Sequence, residues 1–368
     1  MQAVDPIYQV LYSELAQRSL DAAFATEFSL DGRFISMESR GRRYWYFDTA
    51  QDQGKPGSKK RVYVGPVDDA EINSRVEKFK DLKADYRARI KMVSTLVREA
   101  HLPRPQPLAG AIVEALSSAG FFRLRGVLIG TVAFHCYSAL LGVRLQQGIM
   151  QTGDMDFAQL HSIANAVEDR MPPILSILRQ VDETFREVPH RADGRYTTQY
   201  ATRSGYKVEF LTPNTSSDDY ADRPAPMAAL GATAAQPLRF LDFLIYQPVS
   251  AVVLYGAGIP VLVPSPERFA VHKLIVASRR LTDSDGAAKS RKDVQQATEL
   301  MQALIQTRQT DALTDAYMTA WDRGPAWRDA IVKSMGTIST DAVADIRRSL
   351  KPSLERMEAD PANYGLTP

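Results

Sequence analysis

The residues that decide the fold are Val127-Leu128-Ile129-Gly130-Thr131 and, after a helix-like run, Thr152-Gly153-Asp154-Met155-Asp156-Phe157. The first part is an apolar run of strand type that ends in Gly-Thr. Apolar residues then recur at spacings of three and four, as on one face of a helix, and Gly142 stands where a helix commonly ends. In the second part Asp154 and Asp156 alternate with apolar residues. On a strand, both carboxylates project from one face while Met155 and Phe157 enter the core.

Two carboxylates side by side on a strand repel each other unless a cation lies between them. Mg²⁺ prefers carboxylate oxygens together with substrate phosphates, so Asp154 and Asp156 indicate a metal site for phosphoryl chemistry. A lone Asp-x-Asp is more often a solvated pair in a loop. The strand pattern and the preceding Gly130-Thr131 turn favour the metal site here.

Length and charge limit the classes of protein to which the chain can belong. Its 368 residues predict two or three domains. A net charge of +2 gives no support to a strongly basic nucleic-acid binder, so any basic surface must be local. The single cysteine, Cys136, excludes an intrachain disulfide and a cysteine zinc cluster, and we expect it to fill the core. There is no signal-peptide pattern and no membrane-spanning apolar run, so we expect a cytoplasmic protein.

The N-terminal region, residues 1–105, has a helix at 5–25, paired strands around Arg40-Gly41, a strand at 61–65 and a long charged helix at 68–100. Its strands mix basic and aromatic residues, namely Arg40, Arg42, Arg43, Tyr44, Trp45, Tyr46, Lys59, Lys60, Arg61 and Tyr63. Such a surface can hold a phosphate backbone and stack bases. It is equally the pattern of a half-buried sheet with a solvated charged face.

The second region, residues 106–263, alternates helices with strands. Helices are predicted at 108–119, 131–141 and 159–180, and strands at 121–130, 143–148, 154–158, 183–188, 195–202 and 206–211. Residues 212–237 suggest a flexible loop, and 258–263 a last strand at the edge of the sheet. The third region, 264–368, is predicted to be helical to about 358, followed by a disordered tail. Its first helix begins at Ser265-Pro266-Glu267, with Ser as N-cap.

These motifs resemble the nucleotidyltransferase fold of the DNA polymerase β superfamily, whose signature is Gly-Gly/Ser/Thr followed by Asp-hydrophobic-Asp-hydrophobic. Gly130-Thr131 and residues 154–157 match it, although the loop between them is longer than usual. Residues 266–274 and 292–297 resemble the C-terminal motifs of AbiEii-like nucleotidyltransferases, the toxin partners in toxin–antitoxin and abortive-infection systems. The resemblance implies an α+β fold: a mixed sheet flanked by helices, with an N-terminal helix and β-meander region and a C-terminal helical domain.

The resemblance also implies roles for individual residues. Asp154, Asp156 and Glu209 would hold two Mg²⁺ ions, or Mn²⁺, and Glu209 would complete the site from the neighbouring strand. An ordinary exposed strand glutamate is the alternative interpretation of Glu209. Gly130 and Thr131 would bind phosphate, Lys273 would contact the triphosphate, and Asp293 would hold Lys273 or the groups near the metal.

The expected reaction is transfer of a nucleoside monophosphate from an NTP to an acceptor hydroxyl. The sequence leaves three classes of acceptor open: an RNA or tRNA end, a protein side chain, or a small molecule. A toxin role with an antitoxin partner is implied by the AbiEii-like resemblance, and no membrane partner is expected. The alternative is an inactive nucleotidyltransferase fold that binds nucleic acid or a protein partner.

Overall fold

The protein is a mixed α+β molecule in which helices flank a mixed β-sheet, as predicted. The structure is a computed structural model, and it describes residues 1–27, 33–39, 41–48, 61–77, 85–146, 153–161, 170–214, 223–231, 233–280 and 284–366. Within these ranges no helix combines the length and the apolarity needed to cross a lipid bilayer. Arg40, Lys59, Lys60 and Thr152 lie outside the described residues, as do residues 162–169 of the helix predicted at 159–180.

The central sheet has seven strands, β4 (Val127–Ile129), β5 (Asp154–Ala158), β6 (Arg186–Pro189), β7 (Thr197–Ala201), β8 (Lys207–Pro213), β9 (Ala225–Met227) and β10 (Thr233–Leu238). Its main path runs β4-β5-β8-β10-β9, and β7 pairs with both β6 and β8. Strands β5, β8 and β10 are parallel to one another, whereas β4 and β9 are antiparallel to their neighbours. The sheet is therefore mixed, with β5 and β8 side by side in its interior.

Two smaller sheets accompany it. Strands β1 (Arg33–Ser39), β2 (Arg42–Asp48) and β3 (Arg61–Pro66) form an antiparallel three-stranded sheet, which confirms the predicted meander. Strands β11 (Val249–Val253) and β12 (Ile259–Val263) pair with each other in a two-stranded sheet. The predicted strand at 258–263 therefore exists, but its place at the edge of the central sheet was wrong.

The helices are α1 (Pro6–Glu27), α2 (Ala70–Glu77), α3 (Tyr86–Arg98), α4 (Pro107–Ser118), α5 (Gly130–Leu141), α6 (Ile174–Val181), α7 (Leu241–Leu244), α8 (Pro266–Ala277), α9 (Ser284–Gln306), α10 (Thr310–Trp321), α11 (Pro325–Met335) and α12 (Thr340–Arg356). Gly142 ends α5 in the left-handed conformation, as predicted. Ser265 occupies the N-cap position of α8, but its hydroxyl makes no capping hydrogen bond.

One hydrophobic core runs from α4 through the central sheet to the C-terminal helices and ends at Leu366. Beneath the central sheet, the rings of Phe157 and Phe210 are stacked at 5.7 Å, and Phe121 meets Phe157 edge-on at 5.1 Å. Cys136 is buried in the same core, as expected. This core includes residues on both sides of position 263. The division into domains at 105 and 263 stays a prediction.

Several predicted elements differ from the structure. The strand at 121–130 is reduced to β4, because Phe121 and Leu124 are buried from within turns rather than from a strand. At 143–148 the described residues form only a single bridge, between Val143 and Ala3. Within the predicted helix at 68–100, the described residues form α2 and α3, and 78–84 lie outside the described residues.

Two segments predicted to be loose contain regular structure among their described residues, while 215–222 and 232 of the first lie outside these residues. The range 212–237 contains β9 and β10, with Ala234 and Ala235 fully buried. The tail beyond 358 forms a 3₁₀ turn at Pro361–Tyr364. The Trp321 ring nitrogen donates a 2.8 Å hydrogen bond to the Asn363 carbonyl, which fixes this turn to α10.

Candidate active site

The carboxylates at the centre of the site come from two adjacent parallel strands. Asp156 of β5 is the register partner of Glu209 of β8, and Asp154 lies two residues earlier on the same face of β5. Met155 and Phe157, which alternate with the aspartates, are buried in the core. The alternation that the sequence predicts therefore brings the three carboxylates, hereafter the carboxylate cluster, onto one open face of the sheet.

The turn after β4 lies against this cluster. Ile129, the last residue of β4, pairs with Asp156, so Gly130 begins α5 directly beside the Asp156 side chain. Gly130 has a φ of +68°, a conformation that favours glycine. Ile129 is the N-cap of α5, and its apolar side chain cannot accept hydrogen bonds from the first N–H groups of the helix. These N–H groups, starting at Gly130 and Thr131, suit a phosphate oxygen.

The electrostatics of the cluster favour a bound cation. Burial, together with the neighbouring charges of Glu209 and Asp154, raises the pKa of Asp156 to about 7. Burial likewise raises the pKa of Glu209, against a hydrogen bond from Gln199 that lowers it. Like charges held together in this way are stabilised when positive charge is added.

The side chains of the cluster already have partners in the protein. Lys289 Nζ lies 3.3 Å from Asp154 Oδ2, and Gln199 donates a hydrogen bond to Glu209. Among the described residues, no three His, Cys, Asp or Glu side chains are arranged as a ready metal site. The donors are nonetheless all carboxylate oxygens on one face, which is the chemistry that Mg²⁺ takes. Lys289 is 57% exposed at its side chain, so its contact with Asp154 can be exchanged for a cation.

A buried ion-pair network forms the opposite side of the site. Lys273 of α8 donates a 2.6 Å hydrogen bond to Asp293 of α9, and Arg280 Nε lies 2.9 Å from the second oxygen of Asp293. Burial alone would raise the pKa of Asp293, but Lys273 and Arg280 together hold it below its ordinary value. Lys273 is only 7% exposed, so it does not extend into solvent. Asp293 thus fixes the position of Lys273.

His272, next to Lys273, is also buried. Burial and the nearby Lys273 charge lower its pKa to about 3, so the ring is neutral at physiological pH. Its burial agrees with a packing role in α8.

All seven residues predicted for the site line one cleft of about 280 Å³. The structure adds basic residues to which the sequence analysis gave no role, namely Lys207, Arg239, Arg280, Lys289 and Lys292. Lys289, Lys292 and Asp293 follow one another at spacings of three and one along α9, which places them on one helix face. The spacing of Lys289 and Lys292 from Asp293 is the sequence signal that could have identified these two lysines. The cleft therefore joins an acidic sheet face to a basic helix face.

The sequence was compared with known proteins. The model of a protein family described as Nucleotidyltransferase matches residues 108–322, which is more than half of the chain. The matched range includes every residue of the carboxylate cluster, the Gly130 turn and the Lys273–Asp293 pair. No curated protein and no solved structure matched the chain.

Proposed function

The chain belongs to the nucleotidyltransferase family, and from this premise we propose that it transfers a nucleoside monophosphate from an NTP to an acceptor hydroxyl, with Mg²⁺ held by Asp154, Asp156 and Glu209. The observation that carries the proposal is the register of Asp156 with Glu209, directly beside the Gly130 turn. This arrangement supports the proposal because it brings carboxylates suited to a metal ion next to a helix N-terminus suited to a phosphate.

Different residues of the cleft would bind different groups of the two substrates. The N–H groups at Gly130 and Thr131 would receive an oxygen of the triphosphate, since the start of α5 attracts anions. Lys289 and Lys292, which both belong to α9, would neutralise the remaining negative charge of the triphosphate. Glu209 lies at the side of the cluster away from Gly130 and would accept the proton of the acceptor hydroxyl. A bound Mg²⁺ would supply Lewis acidity at the transferred phosphate.

In this proposal Lys273 acts through its charge from the lining of the cleft, and Asp293 is a positioning residue. Because Asp293 binds both Lys273 and Arg280, it keeps two cations at the rear of the cleft. Their positive charge lowers the pKa of Asp156 and so favours the charged carboxylate that a metal requires. Lys273 would therefore favour metal binding through its effect on the charge of Asp156.

The test uses each of the four NTPs, labelled either at the α- or at the γ-phosphate, with Mg²⁺ and total cellular RNA or protein. Nucleotidyl transfer moves the α-label to the acceptor and leaves the γ-label in pyrophosphate. The Asp156→Asn variant should transfer neither label. Transfer of the γ-label instead would identify phosphoryl transfer and contradict the proposal.

An inactive fold that only binds nucleic acid or a protein is the alternative, and titration calorimetry distinguishes it. An active enzyme should bind at least one NTP in the presence of Mg²⁺, and Asp156→Asn should weaken that binding. If no NTP binds, the inactive alternative is favoured.

The toxin role remains a separate hypothesis that rests on the AbiEii-like motifs at 266–274 and 292–297. If it holds, expression of the wild-type chain should arrest growth in a bacterial host, and Asp156→Asn should remove the arrest at equal protein level. Equal growth with both proteins would reject the toxin role and leave the transferase proposal untouched.

A further inference from the structure

One face of the three-stranded sheet carries three tyrosines. Tyr44 and Tyr46 project from the same side of β2, and Tyr63 of β3 joins them, with its ring centroid 5.7 Å from that of Tyr44 and 5.8 Å from that of Tyr46. All three are half-buried. The buried cluster of Phe47 and Val64 belongs to the other face of the sheet. The tyrosine face (Tyr44, Tyr46 and Tyr63) is therefore not the core of this sheet.

A cavity of about 170 Å³ adjoins the tyrosine face at Tyr63. Arg123 and Arg125, from the segment that leads into β4, contribute to its lining. Arg123 Nη1 donates a 2.6 Å hydrogen bond to the Tyr63 carbonyl, which fixes β3 to the rest of the protein. Arg125 is exposed. Tyr63 and Arg125 line the same cavity. Burial raises the pKa of the Tyr63 hydroxyl to about 12, and the positive charge of Arg125 opposes this rise.

The backbone of Arg125 adds a second observation. Its φ is +63°, a left-handed conformation that is uncommon for residues other than glycine and asparagine. Such a conformation costs roughly 1 kcal/mol and is found disproportionately at functional sites. Arg125 thus combines this backbone conformation with a place in the lining of the cavity.

The acidic residues that line the cavity are engaged within the protein. Asp69 accepts hydrogen bonds from the N–H groups of Glu71 and Ile72 at 2.9 and 3.1 Å, at the start of α2. Glu71 is paired with Arg75. Three arginines against two carboxylates line the cavity, so a net positive charge remains on the side of Arg125.

We propose that the tyrosine face and the adjoining cavity bind a single-stranded polynucleotide, with bases stacked on Tyr44 and Tyr63 and a phosphate at Arg125. Aromatic rings accept any base by stacking, and arginines neutralise the backbone, which is the usual chemistry of single-strand binding. A duplex does not present the faces of its bases, so the strand must be single.

This surface is separate from the cleft. Arg125 precedes β4 and Gly130 follows it, so the two lie at opposite ends of the strand, roughly 15 Å apart along the chain. The proposal concerns binding alone. It holds whether or not the bound strand is the acceptor of the transferase reaction.

The test measures the fluorescence anisotropy of labelled 12-nucleotide oligouridylate and oligothymidylate strands, at several salt concentrations and without NTP. Tyr44→Leu and Tyr63→Leu should each weaken binding roughly tenfold, since one stacked base is lost. The matched control is Tyr86→Leu on α3, where a 56% exposed tyrosine is removed from another surface. That control should bind as the wild type does.

The phosphate contact is tested separately. Arg125→Asn removes the charge, and asparagine tolerates the left-handed backbone, so the fold should be kept. The slope of log K against log salt should become shallower by about 0.7, the value for one phosphate on a single strand. Arg348→Gln on α12 removes a charge from an arginine whose side chain is 76% exposed and should leave the slope unchanged.

Circular dichroism and the melting temperature establish that each variant is folded. Asp156→Asn should bind both strands as the wild type does, which separates this surface from the transferase site. The ratio of the two wild-type affinities tells whether RNA or DNA is preferred. The proposal is wrong if the wild type binds neither strand, or if the tyrosine and Arg125 variants keep the wild-type affinity and slope.

Discussion

A Cβ atom added to Gly130 would lie 2.7 Å from Oδ2 of Asp156. The glycine after β4 is thus required by the carboxylate of β5 as well as by its own left-handed backbone, φ +68°. The two halves of the sequence signature, Gly-Thr and Asp-x-Asp, are in direct contact. This contact can be tested independently of the backbone conformation.

Gly130→Ala should reduce nucleotidyl transfer by at least tenfold, because the new methyl group displaces the Asp156 carboxylate or the start of α5. The matched control is Gly205→Ala in the turn between β7 and β8. Its φ is +90°, and no atom lies within 4 Å of the added Cβ. Both variants should lose roughly 1 kcal/mol of stability from the backbone, as measured by denaturant unfolding. Only Gly130→Ala should lose activity, and equal activity in the two would show that the contact is unimportant.

Asp156→Asn should abolish transfer without lowering the melting temperature in metal-free buffer. The substitution removes a charge that burial and two neighbouring carboxylates disfavour, so the folded state is not weakened. The measurement is transfer of the α-label together with differential scanning calorimetry in EDTA. A strong fall in melting temperature would mean that the Asp156 carboxylate is structural.

A comparison of Lys273→Met with Lys289→Met should show which lysine stabilises the fold and which binds the substrate. Lys273 is buried against Asp293, so its loss leaves a buried carboxylate with only Arg280 and should cost on the order of 3 kcal/mol. Lys289 is exposed, so its loss should raise the KM for the NTP and leave stability unchanged. Urea unfolding and steady-state kinetics on both variants provide the comparison. A raised KM with full stability in Lys273→Met would instead assign Lys273 directly to the triphosphate.

His272 should make the protein less stable as the pH falls. Its pKa in the folded protein is about 3, below the value near 6.5 of an unfolded histidine, so the unfolded state binds the proton first. The stability that the neutral ring contributes is complete above pH 6.5 and declines between pH 6.5 and pH 3, by at most roughly 1.4 kcal/mol per pH unit. His272→Gln should flatten this part of the stability profile. Equal slopes in both proteins between pH 6 and pH 4.5 would refute the assignment.

The features that the sequence predicted best are those that depend on residues close to each other along the chain. The alternation from Asp154 to Phe157 and the helix end at Gly142 follow from local periodicity and backbone geometry, and both agree with the structure. The position of Glu209 came from the resemblance to a known fold. A single sequence does not show which strand pairs with which, and the place of β12 was wrong for that reason.

Other features were decided by packing. Phe121 and Leu124 are as apolar as strand residues, yet they enter the core from turns. Ala234 and Ala235 looked like part of a loop among prolines, but both are buried as successive residues of β10, which project to opposite faces of the sheet. The burial of Lys273 with Asp293 depends on how α8 and α9 meet, which no local pattern encodes.

The parallel pairing of β5 with β8 has a consequence for the order of folding. Asp156 meets Glu209 only after a loop of roughly fifty residues closes, whereas Lys273 meets Asp293 across a short connection between consecutive helices. We expect the basic helix pair to form early in folding and the acidic sheet face to form late. A chain interrupted during folding would therefore carry the cationic half of its cleft before Asp156 and Glu209 are brought together.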